Sequence, residues 1–245
     1  MSQQGPVRRA LDAFTSVCVA GASIAVIWSV VSNRSSNAPG IAPAGNAQLV
    51  QDVQDQQLKI PQIRGGNVDD VRASVAIVEF SDFQCPYCGR HARDTLPRLK
   101  QEFVDSARVA YVFMNYPLEA IHPQALQAAK AVTCARHQQR FWEVHDWLFK
   151  NQARLGSLDL SALASAVRID NQGLQDCVEG ADSAVRAEIA EGERLGVNST
   201  PTFFLGALGK DGVVIIKRRI NGAVPYDVFK TALAELVDTV SAGAE

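Results

Sequence analysis

The sequence predicts an α/β domain: a mixed sheet with helices on both faces, interrupted by an all-helical insertion and preceded by an N-terminal membrane helix. Three observations predict it. A short apolar run with β-branched Val75, Ile77 and Val78 leads into Cys85-Pro86-Tyr87-Cys88 and then into a helix-patterned segment. Two later apolar runs, 202–205 and 213–220, flank the Gly-rich turn 209–212 as a hairpin. Between these parts, 122–195 changes to a period of 3.6 and is rich in Ala, Leu, Gln and Arg.

Taken in order, residues 1–9 are polar and end in Arg8-Arg9, and no charged residue occurs from 13 to 32. Twenty such residues match the length of a helix crossing a bilayer core. Arginines on the N-terminal side predict a cytoplasmic N-terminus and an exported body. A cleaved signal peptide is the alternative, but the nearest small-x-small site, Ala42-Pro43-Ala44, lies about ten residues beyond the run. Cys18 reads as a small apolar residue of that span. Segment 33–46, rich in Ser, Asn, Ala, Gly and Pro, is a flexible tether. Segment 48–58 spaces Leu49, Val53 and Leu58 as a short amphipathic helix would, or is linker, and Pro61 with Gly65-Gly66 makes a turn. The expected partition is therefore 1–33 tail and anchor, 34–66 linker, 67–120 with 197–245 as the sheet domain, and 121–196 as the insertion.

Pro97 should kink the helix after the cysteines. Segment 107–115 is the second strand by its β-branched and aromatic content. Helices are expected near 123–136, 140–151, 158–166, 171–179 and 182–195, the third capped by Asp159 or Ser157. Phe141, Trp142, Val144, Trp147, Leu148 and Phe149 supply the insertion with a large apolar surface. Segment 224–240 closes the chain as a helix with Phe229, Leu233, Leu236 and Val237 on one face.

Composition narrows the chemistry. Hydrophobic residues make up 47% and charged residues 20%, enough for a packed core. A net charge of −2 with no Lys/Arg stripe excludes a nucleic-acid footprint. Pro86 suits the first position of a helix, which places the Cys85 sulfur among unpaired amides at the positive end of the dipole and favours a thiolate. Two intervening residues let both sulfurs meet within one turn, so the pair can open and close a disulfide. A zinc site wants four ligands, and Cys18, Cys134 and Cys177 form no second CxxC. His122, His137 and His145 read as solvated helix residues. His91 lies close enough to modulate Cys88, although a lone histidine is more often a surface residue.

The combination of FSDFQCPYC with NSTPTFFLG far downstream resembles the DsbA-like branch of the thioredoxin superfamily over roughly 61–240. The Pro-Tyr dipeptide departs from the Pro-His of DsbA and is shared with glutaredoxins and DsbG-type enzymes. The resemblance implies a thioredoxin fold with a helical insertion. It also implies Cys85 as nucleophile, Cys88 as resolving cysteine and Glu79 as a buried acid exchanging protons with the second cysteine. Thr200 and Pro201 would form a cis-proline loop that, with Pro86 and Tyr87, meets an extended substrate. The expected function is an extracytoplasmic protein-disulfide oxidoreductase, introducing disulfides into cysteine-containing exported proteins. A reductase or isomerase, or a redox-inert binding module of the same fold, is the alternative. No cofactor beyond the dithiol is needed, and the partner is a membrane redox protein, either a quinone-linked oxidase or an electron donor. In an oxidising compartment, Cys134 and Cys177 are expected to form a structural disulfide.

Overall fold

The computed structural model describes residues 49–60 and 73–242. The expected membrane helix 13–32, Cys18, the tether and the Gly65-Gly66 turn lie outside the described residues. Among the described residues no helix is long and apolar enough to cross a membrane.

One sheet is built from β1 (Val50–Lys59), β2 (Val75–Ser81), β3 (Val109–Asn115), β4 (Thr202–Leu208) and β5 (Val213–Asn221). Their spatial order is β1-β5-β4-β2-β3, with β2 and β3 parallel and every other pair antiparallel. The segment expected as a short helix or linker before the core is instead strand β1. Its Gln- and Asp-rich sequence has little strand preference of its own. Pairing with β5 from Val50↔Ile220 to Lys59↔Val213 supplies the backbone partners, and Leu58 is fully buried. Long-range pairing has overridden local propensity, as it does most readily in strands.

The cysteine motif opens helix α1 (Pro86–Asp94), followed by the short α2 (Leu96–Leu99) and a π-helical turn, Lys100–Val104. The break falls at Thr95, two residues before Pro97, whose ring would otherwise meet the carbonyl of residue 93. The insertion contributes α3 (Ala125–Ala135), α4 (Phe141–Lys150), α5 (Leu160–Val167), α6 (Asn171–Gly180) and α7 (Asp182–Arg194). Asp159 caps α5, accepting from the amides of Ser161 at 2.8 Å and Ala162 at 3.1 Å. The closing helix is α8 (Tyr226–Ala242).

Strand alternation divides the core. Val75, Ile77, Tyr111, Phe203 and Leu205 pack under α2 and α8, against Leu99, Phe229 and Leu233. Ala76, Val78, Phe80, Val112 and Phe204 face the other way, toward Tyr116, Leu195 and Val197. Here α7 comes very close: a Cβ at Gly192 would stand 2.7 Å from the Tyr116 ring. The insertion has its own apolar cluster, in which Phe141, Val144, Leu148 and Phe149 pack on Phe83 and Phe113.

Two links fasten the insertion. Cys134 on α3 and Cys177 on α6 are joined as a disulfide with Cα atoms 5.8 Å apart. Glu188 on α7, buried, accepts from the Asn115 amide at 2.6 Å, the Asn115 side chain at 2.7 Å and Arg136 at 2.8 Å. Opening the disulfide by a double Cys→Ala change should lower stability by up to about 4 kcal/mol in the chain-entropy model, given a sequence separation of 43 residues. Urea unfolding of the two proteins checks this, and no change in midpoint would mean the link constrains little. Glu188→Ala should cost about 3–5 kcal/mol, because it strands Arg136 and the Asn115 donors in the interior. A loss below about 1 kcal/mol would place that network at the solvated surface instead.

Candidate active site

Cys85 is the N-cap of α1, in extended conformation, and Pro86 occupies the first turn. Both motif cysteines are free thiols. Cys85 is 4% exposed and Cys88 is fully buried. The Cys85 thiol donates to the Thr200 carbonyl at 3.3 Å, and the Cys88 sulfur accepts from the Asp82 amide at 3.4 Å. Thr200–Pro201 is a cis peptide bond. Thr200, Pro201, Cys85 and Tyr87 thus come together from segments more than a hundred residues apart in sequence.

The two sulfurs are made unequal. Cys85 is driven down to about 5, chiefly by a hydrogen bond from the Cys88 thiol, then by Thr200 and by the amides of Cys88 and Tyr87, all against the opposing effect of burial. The sequence predicts that the helix N-terminus favours a thiolate here. The two amides of the first turn do contribute, but the neighbouring thiol contributes more. Cys88 is pushed well above the ordinary thiol value by burial first, then by its hydrogen bond to Cys85, then by the Cys85 and Glu79 charges.

Glu79, on the face of β2 that α1 covers, is 1% exposed. Burial lifts its carboxyl to about 7, against the opposing effects of Tyr111 and Ser81. The Tyr111 hydroxyl donates to Glu79 Oε2 at 2.6 Å, and His91 Nε2 lies 2.9 Å from that same hydroxyl.

Several supporting residues are not evident from the sequence. Asp82 is buried, and its Oδ1 accepts from the Gln84 amide at 2.7 Å. Its Oδ2 is shared by the Leu118 amide and His122 Nδ1, each at 2.8 Å. Gln152, following α4, donates to the carbonyls of Phe83 and Cys85, both at 2.8 Å. Three histidines also differ from expectation. His91 and His145 are fully buried, and His122 pairs with Asp82, whereas His137 is exposed. His145 sits inside a ring of Phe83, Phe113, Phe141, Trp142 and Phe149, so the apolar face of α4 has swallowed it. A signal existed for His91. Three residues after Cys88 on a helix, it shares the inward face.

Beside the cysteines runs an open groove of about 430 Å³, lined by Tyr87, Arg90, Ser199, Thr200, Gly222 and Ala223. Tyr87 is 58% exposed on its rim. Arg90 donates to the Ala223 carbonyl at 3.1 Å, lacing α1 to the loop before α8.

The chain is similar to several known proteins. A family model described as "Thioredoxin" matches residues 66–211. A protein of Salinispora arenicola named "Na(+)/H(+) antiporter NhaA 1" is 37% identical over 135 residues, which is 54% of this chain and 20% of that protein. A "Probable disulfide bond formation protein D" of Bacillus cereus is 34% identical over 82 residues, 34% of this chain and 38% of that one. The chain thus spans only about a fifth of the antiporter-named relative and well under half of the Bacillus one. Among solved structures, α-DsbA1 of Wolbachia pipientis superposes with a TM-score of 0.65 at 16% identity, covering 76% of this chain and 96% of that one. At that identity the likeness is one of fold, and the family model covers more than half of the sequence. The chain belongs to the thioredoxin family, and its fold is that of the family's DsbA-like members.

Proposed function

We propose that this chain is an extracytoplasmic thiol–disulfide oxidoreductase that passes its Cys85–Cys88 disulfide to cysteines of exported proteins. The observation that carries the reading is the inequality of the two thiols: Cys85, 4% exposed beside the groove, is strongly acidified, and Cys88, fully buried, is held as a thiol. The likeness to the Bacillus disulfide bond formation protein supports it.

In the oxidised enzyme a substrate thiolate attacks Cys85 Sγ. The Cys85–Cys88 bond breaks and its electron pair leaves on Cys88, which takes a proton from Glu79. A second substrate thiolate then attacks the substrate sulfur of the mixed disulfide and expels Cys85 as a thiolate. The substrate has lost two electrons and the enzyme has gained two. A membrane redox partner removes them, restoring the disulfide. Glu79, lifted to about 7, suits exchange of a proton in either direction at neutral pH. Thr200 and Pro201, with Pro86 and Tyr87 opposite, would hold an extended substrate segment along the groove.

The acid Cys85 supports the oxidising direction. Its pKa is depressed, from about 9 to about 5, so the thiolate stabilises the reduced fold in full above about 9. That stabilisation is partial between the two values and is lost as pH falls through about 5. A protein more stable when reduced gives its disulfide away. Because Tyr87 offers no imidazole to hold the thiolate, the reduction potential should lie between those of thioredoxin and DsbA, about −270 and −120 mV.

Several measurements check this reading. Ultraviolet thiolate absorbance should rise with a midpoint near 5, and Cys85→Ser should abolish the step. Equilibration with glutathione, with melting curves of both forms, should find the reduced protein melting higher at neutral pH. A potential at or below that of thioredoxin, with the oxidised form melting higher, identifies a reductase. Absence of any insulin reduction beyond the Cys85→Ser control identifies an inert module. The apolar run 13–32 would keep the protein in the membrane with the site outside. Recovery of only a shortened soluble form beginning after Ala44 would make that run a cleaved signal instead.

A further inference from the structure

Glu79 has two carboxylate oxygens, and the surrounding hydrogen bonds treat them differently. Oε2 accepts from the Tyr111 hydroxyl at 2.6 Å. Oε1 is buried and has no hydrogen-bond partner among the described residues. The nearby Ser81 hydroxyl lies outside hydrogen-bond geometry. The Tyr111 hydroxyl has one proton, and that proton is committed to Oε2. While Glu79 is ionised, His91 Nε2, 2.9 Å from the same hydroxyl, is then the donor to it, which makes the neutral ring the Nε2–H tautomer. Nδ1 is buried without a partner among the described residues, which suits a bare acceptor better than an N–H. His91 is fully buried and stacked among Tyr111, Phe203 and Phe229, so its ring is held in place.

We infer that His91 is a positioning residue which, through Tyr111, holds Oε2 of Glu79 as a permanent acceptor and so leaves Oε1 as the oxygen that carries the proton to and from Cys88. This rests on the redox reading above and deepens it. A donor chain ending on the ionised carboxylate favours the ionised form, whereas a protonated Oε2 would face the Tyr111 proton and lose its bond. The polar and titratable groups around Glu79 come from several elements. Tyr111 comes from β3 and Ser81 from its own strand. Cys85, Cys88 and His91 come from α1, with His145 of α4 acting on His91. From β4 and α8 the facing residues are Phe203 and Phe229, which are apolar. Burial holds His91 neutral, down at about 3, so it donates a hydrogen bond without contributing a charge.

The test follows the resolving step. Reduced full-length protein is mixed with oxidised glutathione, and the rate at which Cys88 releases glutathione from the Cys85 mixed disulfide is followed against pH. Glu79 accepts the Cys88 proton in this direction, so the rate should rise with a midpoint near 7. His91→Phe removes the donor while keeping the ring packing, and the midpoint should move up by about one pH unit. Tyr111→Phe should move it at least as far, and adding His91→Phe to Tyr111→Phe should add nothing. His91→Gln, which restores a donor at the ε position, should return the midpoint toward the wild-type value. Infrared detection of the protonated Glu79 carboxyl against pH gives the same midpoint without any turnover. The Cys85 thiolate step should stay near 5 in all variants, which a general loosening of α1 would not allow. An unmoved midpoint in His91→Phe, or an undiminished His91 effect in the Tyr111→Phe background, overturns the inference. Should His91→Phe not fold, the inference stands only if Tyr111→Phe moves the midpoint and His91→Gln keeps it, and any other result overturns it. If Glu79→Gln leaves the profile intact, Glu79 is not the proton carrier. Both the inference and that part of the proposed mechanism then fall together.

Discussion

Asp82 ties three parts of the molecule to one another with every polar atom it has. Its amide reaches the Cys88 sulfur and its carbonyl receives the Cys85 amide. One carboxylate oxygen turns the chain at Gln84, and the other holds Leu118 and His122 of the loop that leads into the insertion. A buried carboxylate without such partners would be costly. With them it sets where β2 ends and how α1 begins, and hence where the two sulfurs stand. Gln152 repeats the arrangement from the far side, taking the Phe83 and Cys85 carbonyls. The turn that carries the thiol is thus gripped from two parts of the helical block and strained nowhere by a positive φ, since Cys85 itself is extended.

From this grip follows the division of labour between the cysteines. The α1 N-terminus points Cys85 at Thr200 and the groove, and one turn later Cys88 points inward toward Glu79 and Ser81. One thiol is held where a partner can reach it and the other where only the protein's own acid can. Burial raises Cys88 and Glu79 together, the carboxyl to about 7 and the thiol well above its ordinary value, which is what the proposed proton exchange between them would use. The insertion supplies the clamp and covers the sheet, holding the motif through the Asp82 carboxylate, the Phe83 and Cys85 carbonyls and apolar packing around the two cysteines.

Much of this was legible in the residues. The strand-CxxC-helix order, the helical periods after 122 and the Asp159 cap are local signals, and local signals survive into the fold. Strand β1 was not legible, because a Gln-rich segment becomes a strand only when β5 lies beside it. Which of Val109, Tyr111 and Phe113 would meet Glu79 was also closed to inspection. All three share one face of β3, and only the parallel register Glu79↔Phe113 brings Tyr111 alongside the carboxylate. His145 and His91 were misread for one reason: each stands on a helix taken to have a solvated side, where the sheet and the other helices left those positions none.

The two margins of the sheet bear on the company such a protein keeps. β3 is buried along its whole length, and its last amide is taken by Glu188. β1 forms the other margin, and it is bulged between Asp52 and Gln56, with Asp55 paired to Lys217 and most of its side chains polar and in water. Bulges and charges on a margin deter another chain from adding itself as a sixth strand. On the proposed function, the protein would meet many extended segments for each pair of cysteines it oxidises. Its groove would have to accept such segments briefly, while its sheet refuses them altogether.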